Sequence, residues 1–249
     1  MPTFEQITVI LKSLLNITLI SEIIPLIFCI FFYKKVVYKK LKVFFVYAIS
    51  QAIFSVVCYI IIYYSNSFSN YIFILRVHLI VEYLIISLFL FNIFNNRIIK
   101  NIIILLLPFF ILYNIIDFVE FGNSKFGSLP TLIEFIIFIV FIIFYFFERM
   151  RSNDYVFIYN KTHFWIFVGL FVYFSGNFFY ILLIEYSKKY ATSDIKNQLT
   201  IIYCIVTITK NLFLGFSLFA SEEQVGESRD EILYPKDLNL DTFTPNNIN

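Results

Sequence analysis

The sequence predicts an all-α protein, a seven-helix transmembrane bundle with the N-terminus outside and the C-terminus cytoplasmic. Three observations carry that expectation. Of the 249 residues, 60% are hydrophobic and only 14% charged, against about 25% charged in an average soluble domain. The mean hydropathy is +0.82, and a water-soluble globule of this size has too little charge here to cover its exterior. The apolar residues also fall into seven long runs separated by polar clusters. Disorder is excluded by the same composition, and six glycines exclude a collagenous or linker-like chain.

A helix needs about 20 apolar residues to cross the hydrocarbon core, where backbone polar groups find no water and must bond within the helix. The first run is about Ile7–Tyr33 and the second Val43–Tyr64. The third, Tyr71–Phe94, passes through a short polar turn into the fourth, Asn101–Phe121. The fifth is Thr131–Phe147, the sixth Phe164–Tyr186 and the seventh Leu199–Phe219.

Orientation follows from the basic residues of the short connections. One side carries Lys34, Lys35, Lys39, Lys40, Lys42, Arg97, Lys100, Arg149, Arg151 and Lys161; the other carries only Lys125, Lys188, Lys189 and Lys196. The richer side is expected to be cytoplasmic. Met1–Thr8 holds no Lys or Arg and no secretory n-region or cleavage site, so the first helix is expected to be retained.

Residues 1–219 thus read as the membrane domain and 220–249 as an acidic cytoplasmic tail. In the tail Glu222, Glu223, Glu227, Asp230, Glu231, Asp237 and Asp241 face only Arg229 and Lys236, and Pro235 and Pro245 oppose regular structure. Two readings follow, a solvated disordered tail or a docking segment for a signalling partner that orders on binding. The net charge of +2 shows no bias toward nucleic acid. Cys29, Cys58 and Cys204 lie in apolar runs without CxxC or metal-ligand spacing, so buried free thiols are the default. Cys58 and Cys204 lie toward one face, which leaves a disulfide open without requiring it. No metal or cofactor is implied. The abundance of Ile, Phe, Asn, Lys and Tyr points to an AT-rich bacterial genome and a bacterial inner membrane.

Ionisable groups inside a bilayer are costly and make a functional hypothesis by default. At a rise of about 1.5 Å per residue, Glu82 and Lys210 each lie roughly 16 Å below the outer ends of helices three and seven. Glu22, ten residues below Lys12, and Asn177, ten residues from Ser187, reach a similar depth. A second layer lies nearer the outside: Arg76 and His78, Asn114 and Asp117, and Glu134. His78 and Glu82, spaced i,i+4, share one helix face. The lower half of the bundle has almost no ionisable group, so the expectation is a polar cavity open to the exterior and closed below by aromatic packing. A structural account treats Arg76, Asp117, Glu120 and Glu134 as interfacial, with Glu22, Glu82 and Lys210 as glue between helices one, three and seven. A functional account makes these residues a ligand or proton site. Pro25, one turn below Glu22, frees a carbonyl there, and Ser175-Gly176-Asn177 allows a close helix approach.

A lysine in helix seven facing an acid in helix three resembles microbial rhodopsins, in which that lysine carries retinal. Val206 stands where those proteins have an aspartate, and Trp165 sits at the rim of helix six, so the likeness ends there. A wider resemblance is carried by Ser21-Glu22-Ile-Ile-Pro25, His78-Leu-Ile-Val-Glu82-Tyr83, Phe164-Trp165-Ile-Phe-Val-Gly169, Tyr173-Phe-Ser175-Gly176-Asn177 and Lys210-Asn211-Leu. These look similar to small bacterial seven-helix membrane modules found beside or fused to sensor histidine kinases. The resemblance implies sensing or a membrane partner role. No kinase domain follows Phe219 in this chain, so the signal would pass in trans.

Three functions compete. A receptor-like or accessory sensing module would bind a small ligand, lipid headgroup or proton at the polar layers. A small transporter or proton-coupled carrier would use the carboxylates as relays, although no internal repeat supports it. A membrane-embedded lipid enzyme lacks HExxH, GxSxG or paired metal ligands in this sequence, and the balance is against catalysis.

Overall fold

The structure is a computed structural model that describes residues 4–38, 41–61, 64, 68–122, 128–151, 161–190 and 193–220. Its elements are α1 (Phe4–Ser21), α2 (Ile24–Phe31), α3 (Tyr33–Tyr38), α4 (Lys42–Ile60), α5 (Phe68–Ile93), α6 (Arg97–Phe121), α7 (Ser128–Met150), α8 (Thr162–Tyr190) and α9 (Ser193–Phe216), closed by a 3₁₀ turn at Ser217–Phe219. No strand occurs among the described residues. Seven helical segments there are long and apolar enough to cross a membrane, the first being Ser13–Phe31 and the last Asn197–Phe219. The expected count of seven therefore holds. The expectations for the tail, 220–249, lie outside the described residues apart from Ala220.

The first span is not one continuous helix. Glu22 and Ile23 form a turn between α1 and α2, and Pro25 stands in the first turn of α2. Proline has no N–H to return to the Ser21 carbonyl and its ring crowds that carbonyl, so the helix breaks where the Glu22 side chain leaves it. The expected unbroken run Ile7–Tyr33 is corrected to two helices with a polar joint, followed by the short α3.

Successive spans pack side by side and the last returns to the first, with α1 and α2 against α9 and also against α4. α5 touches α4, α6 and α7, which places it inward. Small residues set the closest approaches. A Cβ added at Gly176 of α8 would lie 2.6 Å from Val206 Cγ2 of α9, and one at Gly215 of α9 would lie 2.9 Å from Phe28 Cδ2 of α2. In lipid no hydrophobic force drives helices together, so such van der Waals contact and interhelical polar bonds must hold them.

The interior is largely aromatic. Tyr83 of α5 stacks on Phe110 of α6 with centroids 3.9 Å apart and meets Phe138 of α7 at 5.2 Å, which in turn meets Phe174 of α8 at 5.0 Å. Ring pairs at these separations contribute beyond the area they bury. Outward, Ile104, Leu105 and Phe109 of α6 are each more than half exposed. A bilayer solvates such a face and water does not, so the chain is a multi-pass protein in contact with lipid.

Candidate functional site

The centre of the polar layer joins the two ends of the chain. Lys210 Nζ donates to Glu22 Oε1 and Oε2, 3.1 Å each, and its ammonium lies 4.3 Å from the centroid of the Tyr173 ring. One residue along each helix, Asn211 Nδ2 donates to Ser21 Oγ at 2.9 Å, and Ser21 Oγ in turn donates a hydrogen bond to the Thr18 carbonyl. Two adjacent residues of α9 thus grip two adjacent residues at the break of the first span. Lys210 is fully buried; its charge is matched by the bidentate carboxylate and by the face of the tyrosine ring.

Glu82 belongs to a different set. Its Oε1 accepts from Tyr47 Oη and Gln51 Nε2 of α4, both at 3.1 Å. His78, one turn away on the same face, places Nδ1 3.7 Å from Glu82 Oε2 and stacks on Phe54 with centroids 3.6 Å apart. The lysine therefore faces the acid of the first span, and the third-span acid is met by neutral donors, which separates this geometry further from the rhodopsin arrangement.

Nearer the α6–α7 connection, Arg76 of α5 is ion-paired with Asp117 of α6 and lies over the Phe118 ring. Both charges are buried, which corrects their interfacial reading. Glu134 of α7 is also fully buried, whereas Glu120 is exposed, as an interfacial residue would be. Asn114 donates to the Phe110 carbonyl of its own helix. Neither oxygen of Glu134 and neither polar atom of the Asn177 amide has a hydrogen-bond partner, and Glu134 lies within electrostatic reach of Glu82.

Of the nine residues expected to form the site, eight are buried, and His78 keeps 12% of its side chain exposed. Six of them meet in pairs, Lys210 with Glu22, Arg76 with Asp117 and His78 with Glu82, whereas Asn114, Glu134 and Asn177 bond none of the others. A groove of about 680 Å³ does exist, but it lies between α6 and α7 at the opposite end, lined by Ile102, Leu106, Val140 and Phe144 with Asn96 and Arg151 at its rim; it shares no residue with the polar layers. Among the described residues no three His, Cys, Asp or Glu side chains group as a metal site, and Cys29, Cys58 and Cys204 are buried free thiols.

Sequence reasoning missed Tyr47, Gln51 and Tyr173. Gln51 was detectable by the depth test that found Glu82, being an amide in the middle of a span. Tyr47 and Tyr173 carry no such signal, since 18 tyrosines are spread through the chain. Compared with protein-family models, curated proteins and solved structures, the chain matches none.

Proposed function

We propose that the chain is a receptor-like or accessory sensing module of a bacterial inner membrane, N-terminus outside and C-terminus cytoplasmic. Its polar layer responds to a small ligand, a lipid headgroup or a proton, and its last span and acidic tail pass the state to a partner in trans. This keeps the role implied by the resemblance to the seven-helix modules of sensor kinases. The observation that carries the reading is the Lys210–Glu22 pair. It ties the broken first span to the span that leads into the tail. Removing one partner of a buried pair strands a charge at a cost of about 3–5 kcal/mol. Any proton or ligand that takes Glu22 from Lys210 therefore biases the packing of α1 and α2 on α9, and a state with a different packing becomes accessible.

The chain contains its own reporter. Trp165, the single tryptophan, stacks on Phe213 with centroids 5.9 Å apart and an interplanar angle of 10°, and Phe213 lies one turn beyond Lys210. Emission from the reconstituted protein should shift across a pH series or on changing from neutral to anionic vesicles. Glu22→Gln and Lys210→Met should each alter that response. A spectrum indifferent to pH, lipid charge and both substitutions counts against the proposal.

A further inference from the structure

The groove between α6 and α7 is a place where two neighbouring spans face each other without closing. Toward the α6–α7 connection, Tyr83 of α5 bridges them, stacked on Phe110 of α6 and against Phe138 of α7. Toward the other end, Ile99, Ile102 and Leu106 of α6 face Ile137, Val140 and Phe144 of α7 across open space. Each set repeats every three or four residues and so occupies one helix face. Pro108 stands between the bridge and the groove; it cannot bond the Ile104 carbonyl, and helices bend at such positions. Phe141 is buried and meets Phe94 at 6.4 Å between centroids, which floors the groove from inside. Ile102, Ile136, Val140 and Phe144 are each more than 40% exposed, so the groove opens outward to the surrounding hydrocarbon.

Its length and charge indicate what fills it. On α6 the lining runs from Asn96 to Leu106, about 15 Å at the helical rise, which is half of a hydrocarbon core about 30 Å thick. The groove therefore serves one leaflet. A partner's transmembrane helix crosses both leaflets and would outrun the lining at Leu106, whereas an acyl chain ends near the midplane. At the mouth, Arg151 lines the groove beside Asn96, and the exposed Arg97 follows Asn96 in the chain. Lys100 and Arg149 add positive charge at this end, each held over an aromatic ring, Phe91 and Tyr145. Glu148 is the one acid among the described residues that line the groove. An apolar slot under a cationic mouth complements an anionic amphiphile.

We propose that the α6–α7 groove binds an anionic phospholipid, with one acyl chain in the slot and the phosphate at Arg151. Basic pockets between transmembrane helices bind such headgroups, and the guanidinium fork matches phosphate with two parallel hydrogen bonds. A zwitterionic lipid carries its own cation beside the phosphate, which offsets the attraction of the mouth. The site shares no residue with the polar layers and stands whether or not the Lys210–Glu22 pair signals.

The test is native mass spectrometry of the full chain in detergent, titrated with phosphatidylglycerol and with phosphatidylcholine of the same chain length. The first phosphatidylglycerol should bind at least about fivefold more tightly than phosphatidylcholine, the worth of one basic side chain near an anionic surface. Arg151→Gln should bring the two affinities together, and Arg151→Lys, which keeps the charge, should retain most of the preference. Val140→Phe fills the slot and should lower the binding of both lipids. Ile205→Phe, on an exposed face of α9, should change neither. If Val140→Phe does not fold, the exposed Arg151 carries the siting alone. Equal affinities for the two lipids overturn the proposal, as does a preference that survives Arg151→Gln. Displacement of the lipid by glycerol phosphate, which has no acyl chain, assigns a free-phosphate site and overturns it too. A dimer that Val140→Phe breaks assigns the groove to a second copy of the chain, with the same consequence. Lipid selectivity with a Trp165 emission indifferent to pH, Glu22→Gln and Lys210→Met leaves this site standing and removes the sensing reading; the reverse outcome removes this site alone.

Discussion

Lys210 and Glu22 meet across 188 residues of sequence, with the ammonium 3.1 Å from both carboxylate oxygens. The contact closes the ring of spans, since it joins the first to the last. Its energetics can be separated by a double-mutant cycle. Lys210→Met or Glu22→Gln alone should lower unfolding stability by about 3–5 kcal/mol, because each leaves a buried charge unpaired. The double variant should recover most of that loss, as an apolar and an amide group strand no charge. Urea or thermal unfolding in detergent measures the cycle, and additive losses would show that the pair does not act as one unit.

Glu82 should behave differently, because its partners are neutral. Tyr47→Phe and Gln51→Leu each remove one donor to the same oxygen. Hydrogen bonds between membrane helices average about 0.6 kcal/mol and reach about 1.7, so each variant should cost in that range. Neither should approach the loss seen with Lys210→Met. A larger loss in either would mean that the bond to Glu82 is not what that residue contributes.

The contrast between these two acids marks where sequence reasoning stops. Depth along a helix is a linear quantity, so the midplane positions of Glu22, Glu82 and Lys210 were legible from spacing alone. Which acid the lysine takes depends on rotation about the helix axes and on which spans are neighbours, and neither is written in spacing. Pro25 signalled a disturbance near Glu22, but the full break between α1 and α2 needed the third dimension. The buried state of Arg76 and Asp117 was hidden for a related reason. Both lie near span ends where snorkelling to water is open to a long side chain, and only the placement of α6 beside α5 closes that route.

Orientation can be read with thiol chemistry, because the native background is silent. Cys29, Cys58 and Cys204 are free and buried, so a membrane-impermeant maleimide should label none of them in intact cells and all three after denaturation. Glu120 and Arg151 are exposed near opposite ends of the bundle. With the N-terminus outside, Glu120→Cys should be labelled in intact cells and Arg151→Cys only after permeabilisation. The reverse pattern would invert the topology inferred from the lysine and arginine distribution.

The α8–α9 interface makes a size prediction that involves no charge. Gly176 has no room for a methyl group: its Cβ would sit 2.6 and 2.7 Å from the two Cγ atoms of Val206. Val206 is β-branched and its χ1 is restricted within a helix, so it cannot simply rotate away, and the helices must separate. Gly176→Ala should therefore destabilise the bundle by about 1–3 kcal/mol, the usual cost of overpacking, even though alanine is the better helix former. Val206→Ala in the same chain removes the two methyl groups in the way and should restore most of the loss. Gly122→Ala is the control that separates packing from backbone strain. Nothing lies within 4 Å of its Cβ, but φ is +55°, so its cost comes from conformation and no substitution on α9 should rescue it. Thermal unfolding of Gly176→Ala and of Gly122→Ala, each with and without Val206→Ala, decides the matter: rescue of Gly176→Ala by Val206→Ala, and only of Gly176→Ala, identifies close approach as the reason this position is glycine.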